Sequence, residues 1–289
     1  MTHSEGFFHT SDRVALYYQQ WTSSANRWPV VLVHGAGEHS GRYAQTAARL
    51  NQDGFSVYAF DLPGHGQSPG TRGHIARLED CLTAIRMFLQ QVSQDCPETR
   101  PILLGHSFGG LLSPLYAARF PETLSGLVLS SPLWGVAVAI PIWKRALAHL
   151  LNPVWPSLTM RRPSTIEQTL SHDPHVAAQY ARDPLTHTRA SVHFYVELHR
   201  ALSQLPSALP QLQLPVLVLQ AGDDRIASAE ATTRLFPGIG SPRKKLIVYE
   251  GYYHEVLNEV GNETVLQDLI TWLRAVITRE DSSAPPGLR

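Results

Sequence analysis

The chain has 289 residues, 43% of them hydrophobic and 17% charged, with 24 basic and 24 acidic side chains. That length fits one large α/β domain carrying an inserted subdomain, and the zero net charge argues against nucleic acid as a partner. Its two cysteines, Cys81 and Cys96, show no metal-ligand spacing and give no disulfide framework.

Met1-Thr2-His3-Ser4-Glu5 has no basic start leading into an apolar stretch, so no signal peptide is expected. No run of ~18 apolar residues follows anywhere. A cytoplasmic enzyme is the expectation, and the Asn262-Glu263-Thr264 sequon carries no weight in that setting. Val14 to Tyr18 with Trp21 read as an antiparallel hairpin at a sheet edge. Val30 to Val33, Phe55 to Phe60, Ile102 to Leu104, Leu127 to Leu129, Val216 to Leu219 and Leu246 to Tyr249 are continuous apolar runs. Such runs are strands buried on both faces, as in a mostly parallel sheet. Between them lie helical periodicities: Tyr43, Ala47 and Leu50, stopped at Gly54, and then Leu78, Leu82, Ile85, Leu89 and Val92. Cys81 falls on the apolar side of that second helix and reads as a buried thiol. Alternation of this kind puts helices on both faces of the sheet.

The rhythm breaks between about Pro132 and Pro206, where Trp134, Trp143, Trp155 and several prolines occur and no clear strand is seen. This is expected to be a helical insertion, dividing the chain into core 1–131, cap 132–206, core 207–278 and a flexible tail 279–289. Within it Ile140, Trp143, Leu147, Leu150 and Leu151 share a helical face, with Lys144, Arg145 and His149 opposite. An apolar face backed by basic residues suits a membrane surface. It suits packing on the rest of the domain equally well.

The chemistry concentrates in Gly105-His106-Ser107-Phe108-Gly109, directly after the Ile102–Leu104 run and before a helical segment. Strand, sharp turn and helix are the setting of a nucleophile elbow. The serine there takes a positive φ, and the two glycines remove Cβ atoms that would clash. In this arrangement an acid and then a histidine follow in chain order. The Val216–Leu219 strand ends in Gly222-Asp223-Asp224-Arg225, and the next strand ends in Tyr252-Tyr253-His254-Glu255. Both loops lie past strand C-termini, on the ligand side of an open α/β sheet. His254 is expected to take the Ser107 proton and return it to the leaving group. Asp224 is preferred over Asp223 as the acid, with the reverse left open on spacing alone. The oxyanion formed on an attacked ester is assigned to the Phe108 and Ala36 N–H groups, the latter from His34-Gly35-Ala36-Gly37 after the Val30–Val33 strand. Asp61 to Ser68 lacks the third glycine of a dinucleotide fingerprint and reads as a structural turn, so neither a cofactor nor a metal is expected.

His34 to Tyr43, Gly64 to Ser68, the elbow, Asp224-Arg225-Ile226 and Tyr253-His254 together resemble the monoacylglycerol lipase family of α/β-hydrolases, related to lysophospholipases. The resemblance runs from about Gly6 to Trp272 and supports Asp224 as the acid. It implies the α/β-hydrolase fold, with a mostly parallel eight-stranded sheet flanked by helices and a helical cap. It also implies hydrolysis of monoacylglycerols to fatty acid and glycerol, and a loose membrane contact through the cap. The insertion matches weakly outside Tyr180 to Leu185, so the substrate alternatives are a lysophospholipid or a simple ester. A peptidase would need an acidic anchor for a free amine, which the sequence does not place. A receptor for an apolar ligand is the non-enzyme alternative. Oligomeric state is not read from the sequence.

Overall fold

The computed structural model describes residues 2–23, 28–137, 142–161 and 164–283. Ten strands and eight helices follow in chain order among them: β1 (Thr2–His9), β2 (Ala15–Thr22), β3 (Trp28–Val33), α1 (Ala44–Gln52), β4 (Phe55–Phe60), α2 (Leu78–Asp95), β5 (Ile102–His106), α3 (Phe108–Arg119), β6 (Gly126–Ser130), α4 (Ile142–Leu151), β7 (Thr159–Arg161), α5 (Pro174–Arg182), β8 (Arg189–Ser191), α6 (Val192–Ala208), β9 (Val216–Ala221), α7 (Ala229–Leu235), β10 (Lys244–Tyr249) and α8 (Glu263–Ser283). Eight strands form one sheet in the order β1-β2-β4-β3-β5-β6-β9-β10. The β1–β2 hairpin and its contact with β4 are antiparallel, and every later pairing is parallel. Each apolar run of the sequence became a strand, and the hairpin took the edge.

The interior strands bury both faces, which explains why they read as unbroken apolar runs. On one face Val31, Val33, Leu103 and Leu129 meet α2, α3 and α6 through Ile85, Phe88, Leu112 and Leu205. On the other, Val30, Leu32, Leu104 and Leu219 meet α1 and α8 through Leu50, Leu269 and Leu273. Cys81 is fully buried in the first of these cores, and burial pushes its thiol up to about 12. Gly54 follows α1 with φ +89°, the left-handed position at which a helix ends most readily on glycine.

The strand order reverses between β3 and β5: β3 pairs with β4 on one side and β5 on the other. The loops leaving β3 and β5 therefore open side by side, the position at which open α/β sheets bind ligands. A proline inside α3 ties the insertion to this point. Pro114 has no N–H to give to Gly110 O, and the Trp134 indole N–H donates to that carbonyl instead, at 3.1 Å.

Between β6 and β9 the chain leaves the sheet for α4, α5 and α6, and three details differ from expectation. The segment is not purely helical, because β7 and β8 pair antiparallel in a two-stranded ribbon. The expected end of the insertion at residue 206 falls inside a helix: α6 runs through Pro206 to Ala208, since a proline in the last turn removes only one ladder bond. The C-terminal helix α8 likewise continues past residue 279 to Ser283. Residues 284–289, Ile140 and the Lys144 side chain lie outside the described residues. In α4 the helix rests on α6 through Ala148, while Ile142, Trp143, Leu147 and Leu150 are exposed. No helix among the described residues is long and apolar enough to cross a membrane.

Candidate active site

Ser107 sits between β5 and α3 with φ 52° and ψ −112°, a conformation a non-glycine residue adopts only when its surroundings enforce it. Two absent side chains make room for it. A Cβ on Gly109 would lie 2.1 Å from Val33 O, and one on Gly105 would lie 2.4 Å from Gly109 O. The Ser107 backbone is locked by its N–H donating to Ser130 O (3.0 Å) and its carbonyl accepting from Leu133 N–H (2.9 Å).

His254 and Asp224 come to this serine from the loops after β10 and β9. The Ser107 hydroxyl lies 2.9 Å from His254 Nε2, and His254 Nδ1 lies 2.7 Å from Asp224 Oδ2. The other carboxylate oxygen, Oδ1, accepts the N–H groups of Ile226 and Ala227, each at 2.9 Å. Asp224 thus has one oxygen spent on fixing its own loop and one on the imidazole, and its side chain is fully enclosed. Asp223 is exposed and offers only its backbone N–H, to Tyr252 O. Of the two carboxylates, Asp224 faces His254 and Asp223 does not.

The imidazole is held with Nδ1–H donating to Asp224, leaving Nε2 to accept from the serine. Burial by itself would push the His254 pKa down; the Asp224 charge and hydrogen bond outweigh it, helped by Glu255 and Glu38, and leave it above the ordinary 6.5. His106, whose ring centre is 4.9 Å from that of His254, goes the other way: burial and the neighbouring His254 pull it down to about 4. Of these two imidazoles, the one hydrogen-bonded to Ser107 is the one whose surroundings favour its protonated form.

Ala36 lines the cleft over Ser107 together with Gly35, Glu38, Arg42, His106, Leu170, Tyr180, Ile226, His254 and Glu255. Gly35 allows this approach, since a Cβ there would stand 3.0 Å from Ser107 Cβ. Phe108 is the first residue of α3, with its side chain buried 5.1 Å from Phe194, and a helix's first N–H groups have no acceptor within the helix. His34 is a brace: Nδ1 donates to Gly35 O (2.7 Å) and Nε2 accepts from Leu62 N–H (3.0 Å). Asp61 braces the next loop, accepting from the N–H groups of Ser40 (2.8 Å) and Gln67 (2.7 Å). The Asp61–Ser68 segment is thus a structural turn beside the cleft.

Sequence reasoning missed two groups of residues. One is a buried ion triad on the cleft wall, Glu38, Arg42 and Glu255; the four-residue spacing of Glu38 and Arg42 was its visible signal. The other is Glu259, which stitches the insertion to the histidine loop. Its carboxylate accepts from Ser171 Oγ, His172 N–H, Tyr253 N–H and Val260 N–H, at 2.7 to 3.0 Å. The Tyr180–Leu185 segment also grips the β3 loop: Tyr180 Oη donates to Gly37 O at 2.8 Å, and Asp183 meets His39 Nε2 at 2.8 Å.

The sheet order, the strained serine between β5 and α3, and the loops that meet over it define an α/β-hydrolase. Residues 24–261 match the family model described as serine aminopeptidase, S33, and the chain belongs to that family. A monoacylglycerol lipase of Mycolicibacterium smegmatis is 34% identical over 277 residues, covering 94% of this chain and 97% of that protein. The crystal structure of a Paleococcus ferrophilus monoacylglycerol lipase superposes with TM-score 0.81 at 33% identity, covering 90% of this chain and 99% of that one. An uncharacterized abhydrolase domain-containing protein of Dictyostelium discoideum is 32% identical over 289 residues, and the chain spans 30% of its length.

Proposed function

We propose that the chain hydrolyses monoacylglycerols to fatty acid and glycerol through an acyl-enzyme on Ser107. The observation that carries this is the unbroken hydrogen-bonded line from Ser107 Oγ through His254 to Asp224, in a chain about one-third identical to monoacylglycerol lipases over most of both lengths. His254 Nε2 accepts the serine proton as Oγ bonds to the ester carbon. The resulting oxyanion is held by the Ala36 and Phe108 N–H groups, donors of a kind worth ~3 kcal/mol each in the barrier. His254 passes the proton to the glycerol oxygen as the C–O bond breaks. Water, deprotonated by the same imidazole, then attacks the acyl-enzyme, and the proton returns to Ser107 as the fatty acid leaves.

Residues 132–206 act as the cap over this site. The apolar side of α4, with Ile142 82% and Leu150 73% exposed, is the face that meets a lipid surface, and exposed Arg145 and His149 lie behind it. Packing on the domain, the competing reading of this helix, is disfavoured because among its described side chains only Ala148 and part of Leu151 are covered. A peptidase reading is disfavoured as well. The acidic groups facing the cleft, Glu38 and Glu255, are already paired with Arg42, which leaves no unpaired carboxylate among the described residues lining it to anchor a free amine.

Fatty acid release from monoacylglycerols of graded chain length, set beside the matching lysophosphatidylcholines, tests the substrate class. The expected result is a kcat/KM at least tenfold higher on the monoacylglycerols. Faster hydrolysis of the lysophospholipids would overturn it.

A further inference from the structure

β3 and β10 carry the loops that hold Ala36 and His254, yet they are not neighbours. β5, β6 and β9 lie between them, which sets the two strands roughly 19 Å apart at the usual spacing of about 4.8 Å per strand. No ladder hydrogen bond fixes one loop against the other. Their relation is set by side chains above the sheet, and one residue spans the gap. Arg42 Nη1 donates to Glu38 Oε2 at 2.7 Å and to Glu255 Oε1 at 2.6 Å, and Nη2 donates to Glu255 Oε2 at 2.8 Å. Its guanidinium lies 5.0 Å over the ring of Tyr180 from the insertion.

Both carboxylates reach backbone that matters to the site. Glu38 Oε1 accepts the Gly35 N–H at 2.6 Å, one residue before Ala36, and the Tyr43 hydroxyl at 2.7 Å. Glu255 directly follows His254. Its N–H donates to Leu170 O at 2.8 Å, and its Oε2 also accepts from Asn258 Nδ2 at 2.9 Å. Both side chains are about 5% exposed. Burial opposes ionisation of Glu38, and the Arg42 charge overrides it and holds the carboxyl far below its ordinary range.

We infer that Arg42 is a positioning residue: by gripping Glu38 and Glu255 together, it holds the Ala36 loop and the His254 loop in register around Ser107. This rests on the assignment of Ser107, His254 and Ala36 under Proposed function. A cation that only neutralised the two carboxylates would be replaceable by lysine. A cation that sets distance would not be, because the planar bidentate fork cannot be reproduced by a single ammonium group. Misplacement of catalytic groups by fractions of an ångström lowers kcat and leaves ground-state binding largely intact.

The discriminating variant is therefore Arg42→Lys, with Glu255→Gln beside it, assayed on p-nitrophenyl butyrate from pH 5 to 9. Rates are normalised to the sites that react with a fluorophosphonate, so that loss of folded protein is removed from the comparison. For Arg42→Lys the expected result is a kcat lower by about tenfold, KM within about twofold, and an unmoved acid limb, because the charge around His254 is conserved. The groups facing that imidazole are Asp224, Ser107, His106, Glu255 and Glu38, with Arg42 beyond them. Glu255 raises the His254 pKa, so Glu255→Gln is expected to show a similar kcat loss with its acid limb moved to lower pH. If Arg42→Lys does not fold, the Glu255→Gln result carries the test. Wild-type kcat in a folded Arg42→Lys, or in Glu255→Gln when only that variant folds, overturns the inference. Ser107→Ala in the same series separates the two levels. Turnover without Ser107 would sink the site itself, whereas an inactive Ser107→Ala beside a fully active Arg42→Lys would sink the clamp alone.

Discussion

Around Ser107, the buried groups Glu38, Arg42, Glu255, Asp224 and His254 each hold two or more polar partners, drawn from loops after four different strands and from the insertion. Helix α4 is the opposite case: Ile142, Trp143, Leu147 and Leu150 stand in the open, and exposed Arg145 and His149 lie behind them. The first region spends desolvation on charges and offsets it with exact partners, which fixes atoms to within hydrogen-bonding tolerance. The second leaves apolar area uncovered, which is available to an outside surface. Precision belongs to the rim, and the lipid contact proposed above belongs to the insertion.

Rim and insertion should differ most at the acid. Asp224→Asn removes the charge that orients His254 and stabilises its protonated form, and kcat is expected to fall by about 10⁴. Asp223→Asn, one residue away and exposed, should stay within about twofold. Steady-state kinetics on a soluble ester reads both, and equal losses would mean that the loop as a whole, not one carboxylate, is required.

The smallest expected effect lies in the insertion. Trp143→Ser with Leu147→Ser alters side chains that are 63% and 44% exposed, and exposed substitutions of this kind change stability by about 0.5 kcal/mol or less. Hydrolysis of p-nitrophenyl acetate should hold within about twofold, while sedimentation with phosphatidylcholine vesicles should drop severalfold. Unchanged vesicle binding would remove α4 from the lipid contact; a collapse of soluble-ester turnover would make it part of the catalytic frame.

How legible each region was follows from the range of the forces that build it. The elbow could be read from sequence because its constraint is local: Gly105 and Gly109 stand where any Cβ would strike backbone within a few residues or on the adjacent strand. The strands were legible because burial on both faces leaves unbroken apolar runs. Placement of His254 and Asp224 followed from chain order and strand ends. The spacing could not separate Asp223 from Asp224, since that choice depends on which carboxylate the backbone of Ile226 and Ala227 captures. The β7–β8 ribbon was missed because each strand has three residues and they pair only after the insertion closes. Arg42 with Glu255 was missed for the same reason: the partners are 213 positions apart, and only the completed sheet brings their loops together.

Transfer of the acyl group to Ser107 is the step on which every other role at the site depends. The direct measurement is intact-protein and peptide mass spectrometry after rapid acid quench of the enzyme with a slowly deacylated p-nitrophenyl ester. The predicted result is one acyl group per chain, located on the peptide containing Ser107 and absent from Ser107→Ala, which is itself inactive. Wild-type turnover by Ser107→Ala, or an acyl group located on a different residue, would contradict it.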